Sequence, residues 1–270
     1  MLRRNYLGLE ISRGGLQAIA LQRRGSGVAL SGGQTLRFGE GVLLPTVLKA
    51  NVRQPEQFVD AVREVLLPLA KREKRLAVAL PDAAGHIFLL DIETPFKSHA
   101  EGLEIVRWQL KDLLPAQLLR SVIDYQVLER RESGNRRVLV SVLAEEVLRQ
   151  YEDLLERAGF AAALVDFRAL NLYNAYRSRI DLGAKFILVG VDDQQLCMLA
   201  FENHLLDFCR TKTVPQDPEK IFQELNRSMV GYRRAHPSFA RSTVHLHTSW
   251  EQTDELLDAV HSAFEREVKL

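Results

Sequence analysis

Few residues of this chain combine a reactive type with a spacing that chemistry could use. His245 and His247 alternate within one apolar segment and so share a strand face, an arrangement that can bring two imidazoles to one zinc ion. No cysteine or carboxylate stands at a matching short spacing, so no metal site is expected. There is no Gly-x-Ser-x-Gly turn, no Walker-type phosphate loop and no cysteine and histidine arrangement for nucleophilic attack. Asp82, Asp91 and Glu93 fall near strand ends without a paired base and are read as structural. Two polar turns remain. One is Glu10-Ile11-Ser12-Arg13-Gly14-Gly15, where Arg13 could pair a phosphate and the glycines keep the backbone permissive; the other carries Asp192 and Asp193.

The segments that hold these turns are alike. Tyr6 to Leu21 is an apolar strand, a polar turn and a second apolar strand, and Phe186 to Phe201 repeats that order. An internal repeat reports architecture before any single motif does. This one predicts two pseudo-equivalent lobes, each opening with a hairpin whose turn could point at a shared cleft. Residues 28–38 predict a third strand, and Gln54-Pro55-Glu56 opens a helix with Val59, Val62, Leu66 and Leu69 on one face, which Pro68 should end or bend. Residues 76–80 form a short buried strand.

A second set of elements follows. Residues 87–92 predict a strand, and Leu103, Val106, Leu110 and Leu113 mark a helix stopped by Pro115. Residues 122–128 and 138–143 are strands joined by a charged hairpin loop, and 145–158 is a helix with Gly159 as its C-cap. This predicts a compact α+β module inserted over about 84–165. The second lobe then repeats the three-strand opening, with a helix over 218–234, a strand over 243–247 and a last helix over 253–268. The predicted division is 1–180 for the first lobe with its insert and 181–270 for a shortened second lobe, in an α/β fold.

Composition narrows the function classes. With 270 residues and 46% hydrophobic content, the chain can bury its core without disulfides or metal. Its 36 basic and 35 acidic residues leave a net charge of +1, so no whole-chain field favours nucleic acid or an anionic membrane. Arg227, Arg233, Arg234 and Arg241 are read as a solvated helix face. Cys197 and Cys209 lie in apolar segments as free thiols, which suits a reducing cytoplasm. No apolar run approaches the ~18 to 20 residues of a membrane helix. The basic start Met1 to Asn5 leads into a glycine-interrupted strand, so neither export nor direct membrane insertion is expected.

The order of elements, the opening YLGLEISRGGLQAIAL, the passage VRWQLKDLLPAQLLRSVIDYQVL and the segment VLVSVLAEEVLRQYEDLLERAGFAAALVDFRALNL together resemble the type IV pilus assembly protein PilM family. These are actin-like ATPase-fold proteins related to the division protein FtsA. The resemblance runs from about Tyr6 to about His236, and the cytoplasmic domain of the secretion protein GspL and the pilus protein MshI are similar. It implies an actin-like, ribonuclease H-like duplicated fold of two lobes. It also implies a cytoplasmic protein, peripheral at the inner membrane through partners, that binds the cytoplasmic tail of a PilN-like protein within a pilus or secretion assembly platform. A homo-oligomer is a further possibility. Trp108, Leu113, Leu114 and Tyr125 are the partner-binding candidates, in a groove between the first lobe and the inserted module.

Against that family the chemistry departs. In the actin-like fold the first turn carries Asp-x-Gly-Ser, where glycine admits the phosphates and the aspartate holds a hydrated magnesium ion. Here Glu10, Ser12 and Arg13 take those places, and only Gly14 and Gly15 keep the turn permissive. In the second turn Gly190-Val191-Asp192 moves the carboxylate two positions, roughly 6 to 7 Å along the strand. Asp192 and Asp193 then put negative charge where phosphates would lie. Near the C-terminus a glycine pair becomes Thr248-Ser249-Trp250, although Trp250 could stack on a base. Glu10, Ser12, Arg13, Gly14, Gly15, Asp192 and Asp193 are therefore read as degenerate phosphate turns of a pseudo-ATPase scaffold without cofactor. The alternative is an actin-like protein that still binds ATP and magnesium and hydrolyses slowly. A sugar-kinase-like enzyme would need an aspartate where Gly190 stands.

Overall fold

Alternation in the opening segment puts Leu7, Leu9 and Ile11 on one face and Tyr6, Gly8 and Glu10 on the other. In the computed structural model, which describes residues 5–25, 27–118, 120–177, 181–236 and 242–270, that pattern becomes the first of three antiparallel strands. Met1 to Arg4 and Arg241 lie outside the described residues. The strands are β1 (Asn5–Ser12), β2 (Gly15–Arg24) and β3 (Gly27–Arg37), with Ser12 opposite Gly15 across a tight turn. The buried residues of β1 and β2 face α1 (Pro55–Ala70), which contributes Phe58, Val59, Val62, Val65 and Leu66. Proline suits its first position, where an amide would have no helical partner. Pro68 does not end the helix, which runs to Ala70; burial of Val65, Leu66 and Ala70 carries it past one lost hydrogen bond.

The chain packs as two compact units, Met1–Gly85 with Leu143–Asn171, and His86–Val142 with Leu172–Leu270. In the first, β4 (Arg75–Leu80) lies parallel to β1 and β8 (Ala161–Phe167) lies parallel to β4, giving the order β3-β2-β1-β4-β8. The helix α3 (Glu145–Ala158) packs on α1 and ends at Gly159, whose φ of 93° is left-handed, as a C-cap requires. The sequence pattern predicts α3 and β8 within the insert; instead β8 completes the first sheet, taking the edge of β4 that β1 leaves open, and α3 packs on α1. The loop before α1 is pinned to α3 by Asn51, which is buried and whose backbone amide donates to Gln150 at 2.6 Å.

In the second unit, β9 (Lys185–Asp192), β10 (Gln195–Glu202), β11 (Leu205–Thr213), α5 (Pro218–Ala235), β12 (Thr243–Thr248), α6 (Thr253–Phe264) and β13 (Val268–Lys269) repeat the plan. The sheet order β11-β10-β9-β12-β13 is the order of the first sheet over again. The last helix is shorter than predicted. It stops at Phe264, Glu265 turns left-handed at φ 54°, and Val268 and Lys269 become a strand parallel to β12. The core here gathers Ile187, Val189, Leu196, Met198, Leu225, Trp250 and Phe264.

The inserted sheet has the order β5-β7-β6, from β5 (Gly85–Ile92), β6 (Ser121–Arg130) and β7 (Arg136–Ala144). Its helix α2 (His99–Leu110) begins with a capping box in which Ser98 and Glu101 satisfy each other's backbone amides. The helix α4 (Arg168–Tyr176) follows β8. Among the described residues no helix is long and apolar enough to cross a membrane.

Candidate functional site

In open α/β sheets, ligand sites form beyond the carboxyl ends of parallel strands. In the first unit those ends deliver Glu10 from β1, Asp82 after β4 and Arg168 where β8 passes into α4. The Nε of Arg168 donates to Oε1 of Glu10 at 2.9 Å, and Arg168 is only 6% exposed. A guanidinium thus lies against the carboxylate that the PilM-family resemblance places at the magnesium position. Asp82 is 3% exposed; its Oδ1 accepts from the backbone amide of Ala169 at 2.9 Å, while its Oδ2 makes no hydrogen bond. Burial pushes its carboxyl up to about 6, against the lowering effects of the Ala169 hydrogen bond and Arg168. Burial also raises Asp166 beside them.

The rest of this turn serves the backbone. The Ser12 hydroxyl donates to the carbonyl of Gly15 at 3.1 Å, and the carbonyl of Gly14 accepts from Phe38 at 2.9 Å. A Cβ on Gly15 would lie 2.0 Å from the carbonyl oxygen of Leu36, so glycine there is demanded by the approach of β3. Arg13 is exposed at the tip. Sequence reasoning missed Arg168 as a partner and left Asp82 as merely structural. The available signal for Arg168 was a lone cation inside the apolar run that joins a strand to a helix.

At the second turn the Oδ2 of Asp192 lies 3.2 Å from Nε2 of His247, and Nδ1 of His247 lies 2.8 Å from the hydroxyl of Tyr176. Both ring nitrogens are therefore engaged. Asp193 occupies a left-handed position at φ 49°, and its carbonyl accepts from Nε1 of Trp250 at 2.9 Å. Trp250 is buried in the core of this unit, so it cannot stack on a base as the sequence suggests. At Gly190 a Cβ would meet Leu172 at 2.6 Å and Cys197 at 2.7 Å.

Among the described residues, neither His245 nor His247 joins a group of three ligand-bearing side chains that could hold a metal ion. His245 lies near Thr243 and edge-on to Phe186, and burial followed by the charge of Lys269 lowers its pKa. The structure instead brings Glu202, Asp207 and His236 together, with ligand atoms within 4.8 Å of one another. Lys185 already lies 2.5 Å from Glu202 and Arg137 lies 3.0 Å from Asp207, so a divalent ion would have to displace two cations. These residues come from β10, β11 and the end of α5, a grouping with no local signature.

On the inserted module, Trp108 is 68% exposed and Leu113 is also exposed. Leu114 is buried, and Tyr125 stacks on His99 at 4.6 Å and lies edge-on to Phe96. Gly102 makes room for Tyr125, whose hydroxyl would be 2.0 Å from a Cβ there. Of the four candidates, Trp108 and Leu113 face solvent, whereas Leu114 is buried and Tyr125 packs on His99 and Phe96.

Two sheets of the same strand order, each opening with a hairpin whose turn lies at the ligand end, define a protein of the actin-like ATPase fold. Solved structures with this fold match the chain closely in shape and distantly in sequence. A PilM-PilN type IV pilus biogenesis complex covers 98% of this chain and 87% of its own, with a TM-score of 0.76 and 16% identity. A Bacteroides thetaiotaomicron protein of actin-like ATPase fold and unknown function covers 98% and 90%, with a TM-score of 0.63 and 12% identity. The cytoplasmic domain of EpsL, an inner membrane component of the type II secretion system of Vibrio cholerae, covers 92% and 84%, with a TM-score of 0.58 and 10% identity. No protein-family model matches the chain, and no curated protein does.

Proposed function

We propose that this chain is a cytoplasmic scaffold of a type IV pilus or related secretion assembly platform, held at the inner membrane by binding the cytoplasmic tail of a PilN-like protein. The observation that carries this reading is the fold shared over 98% of the chain with a PilM-PilN complex. Trp108 and Leu113 supply an exposed apolar surface for such a tail, with the aromatic anchor that peptide recognition favours.

The turns support a scaffold that works without nucleotide. A hydrated magnesium ion and a triphosphate need carboxylates turned to the metal and glycine backbone turned to the phosphates. Here Glu10 faces Arg168, Asp192 faces His247, and Gly15 and Gly190 lie against protein atoms. These residues do not fit that cargo.

The test is a fluorescence-polarisation titration with a labelled peptide of the cytoplasmic tail of a PilN-like protein from the same genome. Trp108→Ala should weaken binding by about tenfold or more with an unchanged melting temperature. Binding indifferent to both Trp108→Ala and Leu113→Ser would overturn the assigned surface. In parallel, ATP with magnesium at millimolar concentration should leave the melting curve in place. A saturable rise, worth about 2.7 kcal/mol at a hundredfold excess over Kd, would establish a nucleotide-binding protein instead.

A further inference from the structure

We infer that the end of the first sheet opposite the Glu10 turn is a docking face for an anionic lipid surface. At that end β2 finishes in Arg23 and Arg24, while the loop after α1 carries Lys71, Arg72 and Lys74 and Arg75 opens β4. All six side chains are exposed, and none forms an ion pair among the described residues. Glu73 is the one carboxylate in these two segments. Its Oε1 accepts from the backbone amides of Lys74 at 3.1 Å and Arg75 at 2.9 Å, which turns it toward its own loop. On the neighbouring end of α3, Glu156 and Arg157 offset each other in charge, and Arg157 is engaged by Glu56 at 2.5 Å.

The register makes this a single patch. Asn5 lies opposite Gln22, and Leu7 lies beside Leu76, so β1 alone separates the two basic segments. Two strand spacings are roughly 10 Å, about one Debye length at physiological salt. The six positive fields therefore add locally, although the whole chain carries only +1.

Aliphatic side chains accompany the cations. Val28 and Leu30 follow the β2–β3 turn at 58% and 65% exposure. In register, Leu30 lies across from Leu21 and Leu21 across from Tyr6, so the apolar row continues over three strands. A nucleic acid would use the cations and leave these aliphatics in water, and an apolar peptide would use the aliphatics and leave the cations unmatched. An anionic bilayer surface uses both, since cations attract its headgroups and short apolar tips enter the boundary layer. This inference does not depend on the platform role.

The test is flotation of the full chain with phosphatidylglycerol-rich vesicles and with pure phosphatidylcholine vesicles, at low and high salt. Each cation near an anionic surface is worth about fivefold in partitioning. The chain should float with the anionic vesicles only, lose that binding at high salt, and lose at least about tenfold on R72E/K74E and several-fold on V28S/L30S. Exposed positions make these variants foldable, and circular dichroism verifies it. Absence of vesicle binding by the unaltered chain, or binding by R72E/K74E at full strength, would overturn the inference. So would vesicle binding that V28S/L30S leaves intact and RNA abolishes, which would assign the patch to nucleic acid.

Discussion

Arg168 donates from Nε to Oε1 of Glu10 at 2.9 Å, with the guanidinium almost wholly buried and the carboxylate partly open to water. Removing the buried partner of such a pair leaves the other charge without compensation, which typically costs 3 to 5 kcal/mol when both are enclosed. Because Glu10 keeps some solvent, Arg168→Met should destabilise by about 3 kcal/mol in urea unfolding, and Glu10→Gln by less. A loss under about 1 kcal/mol for Arg168→Met would mean that water screens the pair.

Asp82 makes stability depend on pH with a sign opposite to that of a salt-bridged aspartate. Burial raises its folded-state pKa from 3.8 to about 6. The folded chain therefore keeps a proton that the unfolded chain has released, and stability falls as pH rises from about 4 to about 6, then levels. The drop is on the order of 2 to 3 kcal/mol. In Asp82→Asn the amide oxygen still accepts from Ala169 and the drop should shrink. Some slope should persist, because burial raises Asp166 in the same direction. Urea unfolding across this pH range checks it; an unchanged slope in Asp82→Asn would refute the assignment.

Gly190 stands where a catalytic aspartate would open the second lobe of a sugar-kinase-like enzyme, and packing bars a side chain there. A Cβ would come within 2.6 Å of Leu172 and 2.7 Å of Cys197. Gly190→Ala should cost about 1 to 3 kcal/mol through overpacking, and Gly190→Asp more, since it also buries a charge. Adding Cys197→Ala should recover part of the Gly190→Ala loss. Thermal unfolding reads both, and a neutral Gly190→Ala would show that Leu172 moves aside freely.

Much of the architecture was legible because it is periodic. Alternation in Tyr6 to Leu21 and Phe186 to Phe201 reports strands, and helical spacing from Val59 to Leu66 reports α1, from neighbours in sequence alone. The same local logic failed where a partner strand decides. Val268 continues the apolar spacing of α6 but leaves the helix to pair with Val244, and β8 joins the first sheet because β4 has an open edge.

The sequence by itself determined the duplicated hairpins and the carboxylates at the two turns, since each follows from residue type and short-range spacing, and its resemblance to the PilM family implied the actin-like fold. Only the tertiary structure decided what those carboxylates face. Arg168 reaches Glu10 across 158 positions of chain, and His247 reaches Asp192 from another strand. Such pairings depend on which strand ends a sheet brings side by side, so what each turn's carboxylate meets is a property of the assembled sheet and not of the turn's own residues.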